Sequence, residues 1–133
     1  MIISLFLAAV QAPAPAAQPI EGLWKNPSGS VIMSIEPCGA ALCGTVKWAS
    51  AQAKADAAKG TNQLVGANLL TNLKPKGAAW TGRLFVPDEK IRASARIQLV
   101  DPQQLKVSGC AMLGAVCRSQ LWIRTTDPLP AAE

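Results

Sequence analysis

From Ser30 onward the chain alternates apolar and polar side chains in short runs, each closed by a Gly, Pro, Asn or Asp turn. Val31, Met33 and Ile35 form one face of the first clear run, and Leu42, Gly44, Val46 and Trp48 form one face of its return strand. A two-residue period of this kind is the signature of a strand with one face turned to a core. The alternation resumes with Trp80, Gly82, Leu84 and Val86 against Thr81, Arg83 and Phe85. It is cleanest over 91–100, where Ile91, Ala93, Ala95, Ile97 and Leu99 oppose Arg92, Ser94, Arg96 and Gln98. One face of that strand is therefore wet. A further strand covers 105–111, with Leu105, Val107 and Gly109 on one side.

Two stretches break the pattern. Residues 49–60 are rich in Ala, Lys, Gln and Asp with no β-branched residue, which fits a short helix or irregular crossover better than a strand. Residues 64–73 fit either a helical stripe or a strand, and we read a strand from Asn68. With a first strand around Gly22-Leu23-Trp24, which precedes a Pro27-Ser28-Gly29 turn, the count is about eight short antiparallel strands. The prediction is an all-β domain, a single antiparallel up-and-down β-barrel of about eight strands with a short helical or irregular crossover. Closure leaves no unpaired edge and brings the first and last strands together.

The last predicted strand carries the densest chemistry. Arg118, Gln120, Trp122 and Arg124 share one face, with Ser119, Leu121 and Ile123 on the other. If the polar face points inward, its groups need partners, since a buried polar group left unpaired costs about 1–3 kcal/mol. A one-residue slip would exchange the two faces, so the register decides everything about this strand.

The uncharged apolar run Ile2–Val10, followed by Ala- and Pro-rich sequence, has the form of a secretory leader, giving a signal peptide over 1–16 and one barrel domain over 17–133. No Lys or Arg precedes that run. Export leads us to expect a periplasmic or secreted protein without stable membrane insertion. In that setting four cysteines favour disulfides over metal ligands. Three pairings are possible, and the two local ones, Cys38–Cys43 and Cys110–Cys117, each staple a tight turn. The net charge of +5 is spread along the chain without the aromatic interleaving of a nucleic-acid platform, so nucleic acid is not expected as a partner.

Conventional catalytic chemistry is scarce. The absence of histidine removes His general bases and His metal sites. Asp88-Glu89 falls in a predicted turn, where solvated turn residues outweigh a catalytic pair. Neither a phosphate loop nor a nucleophile elbow is present. We expect no enzyme activity, no cofactor and no metal.

Several motifs together resemble a known family. They are Gly22-x-Trp24, Cys38, Cys43-Gly44, Trp80-x-Gly82 with Phe85-Val86-Pro87-Asp88, and Gly109-Cys110 followed by Cys117-Arg118-Ser119-Gln120-x-Trp122-x-Arg124. This set resembles the bacterial secreted "domain of unknown function 2147" family over nearly all of the chain after the leader. The chain departs from it at 82–88, where many members carry Gly-Gly-x-Ile-Tyr-Asp-Pro. The resemblance implies a calycin-like, lipocalin-related barrel without an established catalytic activity. It also implies that Trp24 sits at a closed end with a basic residue of the last strand, Arg124 or Arg118, packed across it.

Two functions follow from this reading. In the first, the barrel binds a small apolar or amphipathic ligand, or an anionic one gripped by arginine, using Trp24, Arg118, Gln120, Trp122 and Arg124. In the second, the same residues plug the barrel, and the protein is a non-catalytic envelope interaction module with a filled interior. Trp48 and Trp80 are read as core or barrel-mouth residues. Interior volume separates the two, because a ligand site needs on the order of 300 Å3 or more.

Overall fold

The computed structural model describes residues 17–133, so the expected leader lies outside the described residues. Eight strands follow one another around a closed, all-antiparallel barrel: β1 Gly22–Lys25, β2 Val31–Cys38, β3 Ala41–Ala49, β4 Asn68–Lys76, β5 Ala79–Val86, β6 Ile91–Asp101, β7 Gln104–Ala111 and β8 Val116–Arg124. Closure is made by β1 and β8, where Trp24 lies opposite Arg124 and Lys25 opposite Ile123. The crossover between β3 and β4 contains the helix α1, Ala51–Ala57, capped by the Ser50 side chain, which accepts from the Ala53 N–H. Among the described residues no helix is long and apolar enough to cross a membrane.

Alternate hairpins define two ends. The β2–β3, β4–β5 and β6–β7 turns gather at one end with the incoming segment before β1. The β1–β2 turn, the α1 crossover, the short 3-10 turn Pro87–Glu89 and the β7–β8 turn gather at the other. Ile20, Trp24, Ile35, Leu42, Leu73, Ile97 and Leu105, all at most 2% exposed, fill the first end. It is closed by packing.

Both disulfides are present, Cys38–Cys43 at the β2–β3 tip and Cys110–Cys117 at the start of the β7–β8 turn. Each closes a short loop, so each restricts the unfolded chain by roughly 2–2.5 kcal/mol in the chain-entropy account. Replacing Cys38 and Cys43 together by serine is expected to lower the unfolding free energy by about 2 kcal/mol, measured by chemical denaturation without reductant. Non-reducing peptide mapping of the unmodified protein should recover only the two local pairs.

The simple alternation is broken in β3. β2 and β3 slip in register between Ile32 and Met33, so that Met33 faces Val46 while Ile32 faces Trp48. Lys47 is the extra residue of this bulge. Val46 and Ala49 are buried, whereas Trp48 turns to the outer side and donates its indole N–H to the Ala131 carbonyl at 3.0 Å. Trp48 is thus neither core nor mouth, and its expected place beside Val46 is overturned by a single inserted residue.

Candidate functional site

The inner face of β8 carries Arg118, Gln120 and Trp122. Gln120 lies opposite Val107, and Trp122 opposite Leu105, both core residues of β7. Leu121 and Ile123 are correspondingly on the outer wall and about 45% exposed. Because β8 spans the barrel, its inward row reaches both ends. Arg118 and Arg124, six residues apart, are separated by about 20 Å of extended strand.

At the closed end Trp24 is fully buried and donates its indole N–H to the Ile20 carbonyl at 2.9 Å. The Arg124 guanidinium lies 4.2 Å from the Trp24 ring centroid. Its N–H groups donate to the carbonyls of Pro102 at 2.9 Å, Glu21 at 2.8 Å and Pro19 at 2.7 Å. Gly22 makes this possible. Its φ of 128° suits glycine, and a Cβ there would stand 2.7 Å from an Arg124 terminal nitrogen. Through three hydrogen bonds to main-chain oxygens, Arg124 ties the incoming segment and the β6–β7 turn across the barrel floor. Arg118 takes no part in this. It is at the other end, which removes it as an alternative partner for Trp24.

The open end contains a cavity of about 460 Å3. Met33, Leu70, Leu84, Ala93, Val107 and Trp122 supply its apolar wall, and Gln120, Arg118 and Glu89 stand towards its rim. The room comes from a gradient of side-chain size along β6 and β7. Near the closed end the inward positions are Ile97, Leu99 and Leu105, while near the mouth they are Ala93, Gly109 and Ala111. A Cβ at Gly109 would lie 2.6 Å from a Leu84 methyl, so this wall is tight against glycine.

The polar groups at the opening are partly paired. The Trp122 indole N–H donates to Gln120 Oε1 at 3.2 Å, which leaves the Gln120 amide NH2 without a protein partner among the described residues. Arg118 pairs with Glu89 at 3.2 Å, linking β8 to the Pro87–Glu89 turn. Both are well exposed, so the pair contributes under about 1 kcal/mol and can be exchanged for a ligand group at little cost. Above them the β7–β8 turn holds Met112 and Leu113 at φ 54° and 58°, with both side chains exposed.

The five residues grouped on sequence grounds therefore fall into two places. Trp24 and Arg124 meet at the floor, and Arg118, Gln120 and Trp122 lie along the cavity. The sequence reading missed Met33, Leu70, Leu84, Ala93 and Val107 as cavity wall, although the shrinking inward side chains of β6 and β7 were a usable signal. Trp80 lies at the closed end, packed against the core and donating its indole N–H to Gln18 at 2.7 Å.

Neither the curated proteins nor the solved structures contain a match to this chain. A family model does match it over residues 22–124, from the Gly22 that admits Arg124 to Arg124 itself. The chain belongs to the family described as uncharacterized protein conserved in bacteria (DUF2147).

Proposed function

We propose that this protein is a non-catalytic carrier that binds a small apolar or amphipathic molecule in the open end of its barrel, in an oxidising compartment such as the periplasm. The observation that carries the reading is the cavity of about 460 Å3, which exceeds the size of about 300 Å3 that a small-molecule site requires. Its composition fits an amphipathic guest. An apolar tail would lie against Met33, Leu70, Leu84 and Val107, and a polar or anionic head would reach the Gln120 amide and exchange with Glu89 for Arg118. Two disulfides and no free cysteine favour an oxidising compartment.

Titration with a dansyl-labelled medium-chain fatty acid tests this, with energy transfer from the protein's tryptophans, Trp122 of the cavity wall among them, as the signal. Saturable binding is expected for the unaltered chain. In Ala93→Phe, which places a ring on the cavity wall beside Leu84 and Gly109, binding should weaken by at least about tenfold, while the unfolding free energy should fall by about 1–3 kcal/mol, leaving the domain folded. Native mass spectrometry of protein recovered from the producing cell's envelope provides a second readout, a retained small molecule. Equal binding by the two proteins would place the fatty acid outside the barrel and favour an interaction module.

A further inference from the structure

The outer wall of the barrel holds a second concave feature, unconnected with the lumen. At β4 the register against β5 slips between Thr71 and Lys74, and Asn72 takes a left-handed conformation with φ 55°. Gly82 accommodates this bulge, since a Cβ there would stand 2.4 Å from the Thr71 carbonyl oxygen. The wall is hollowed at this place by an open concavity of about 410 Å3.

Its lining has one sign of charge. Lys74, Arg83 and Arg96 surround it, with the hydroxyls of Thr81, Ser94 and Ser108 between them and no carboxylate. The strand pairing explains the grouping. Thr81 lies opposite both Lys74 and Arg96, and Arg83, which lies opposite Ser94, is the diagonal neighbour of Arg96. Diagonal positions are about 7–8 Å apart, and positions two strands apart are roughly 10 Å, so three long cationic side chains can close on one point above Thr81. The two ion pairs among the described residues, Lys47–Glu36 and Arg118–Glu89, involve none of the three. Among the described residues, none of the three is within ion-pair distance of a carboxylate. Three cations and the hydroxyls of Thr81 and Ser94 around one hollow, with Ser108 beside them paired to Ser119 at 2.9 Å, match the oxygens of a phosphate group, which accepts hydrogen bonds from several directions and carries the opposite charge.

We propose that this hollow is a phosphate-group binding site on the outer wall, separate from the lumen. The group comes either from a free phosphorylated solute or from a lipid headgroup, and the experiment distinguishes the two. Inorganic pyrophosphate is titrated into the isotope-labelled full domain at constant ionic strength, followed by amide NMR, and binding to phosphatidic acid vesicles is measured by co-sedimentation against phosphatidylcholine vesicles. The expected result is saturable shifts centred on Thr81, Ser94 and Ser108, weakened by about tenfold or more in Arg96→Gln and in Lys74→Gln. Both replaced side chains are exposed, and thermal unfolding should match the unaltered chain. Vesicle binding lost in the same variants assigns the site to a headgroup, whereas pyrophosphate binding without vesicle binding assigns it to a free solute. The proposal is overturned if neither probe binds, if the variants bind equally well, or if the shifts spread evenly to Lys25, Lys54 and Lys59 elsewhere on the surface.

Discussion

Replacing Trp24 by alanine is expected to destabilise the barrel by about 3–5 kcal/mol, the largest effect of any single side-chain truncation in this chain. Trp24 is fully buried at the point where β1 meets β8, so its removal opens a cavity at the seam that closes the barrel. The pairing there is sparse. β1 has four residues, and only Trp24 and Lys25 are in register with β8. Side-chain packing therefore replaces the ladder of hydrogen bonds that longer strands would supply. A domain of this size has a stability of about 5–15 kcal/mol, so the loss is a large share of the total. Trp24→Phe separates two causes. It keeps most of the ring but loses the hydrogen bond to the Ile20 carbonyl, and should cost about 1–2 kcal/mol. Urea denaturation of the three proteins, with unchanged slopes, measures both values. A loss under about 1 kcal/mol for Trp24→Ala would mean that the seam is held by other contacts.

The barrel itself was legible because the alternation of Val31, Met33 and Ile35, of Trp80, Gly82 and Leu84, and of Ala93, Ala95 and Ile97 is a direct record of inside and outside. The helix was legible from its lack of β-branched residues, and it begins at a Ser50 cap. Bulges were not legible. An extra residue at Lys47 or Asn72 leaves both flanking runs intact and changes only their phase, which a strict two-residue count carries forward unaltered. That is why Trp48 was placed inside. The cavity was legible only in part, because its polar rim stands on one strand while its apolar wall is assembled from several. The cationic hollow was hidden for the same reason. Lys74, Arg83 and Arg96 are nine or more residues apart along the chain, and only the register of β4, β5 and β6 brings them together. Spacing along one segment records the neighbours within a strand, not those across the sheet.

The second large effect is expected at Arg124. Arg124→Ala removes three hydrogen bonds to main-chain carbonyls and a guanidinium stacked on Trp24, and should cost about 2–3 kcal/mol. The side chain is partly exposed, so water compensates some of the carbonyls and keeps the figure below the sum of the separate bonds. Arg124→Lys should recover less than half of the loss. An ammonium can stack on the indole but lacks the planar fork that reaches Pro19, Glu21 and Pro102 at once. The neighbouring Ile123→Ser provides the contrast. Ile123 is 45% exposed on the outer wall, and its replacement should cost less than about 1 kcal/mol although an apolar residue is exchanged for a polar one. The ordinary expectation, that an apolar residue in a strand matters more than a charged one, is thus reversed at this end of β8. A double-mutant cycle with Trp24→Phe and Arg124→Ala should show coupling of about 1 kcal/mol, since the two side chains stack. If Ile123→Ser instead proves the costlier change, β8 has the opposite register in solution. The Arg118, Gln120, Trp122 and Arg124 row would then lie on the outer surface, and the lumen would lose its polar rim.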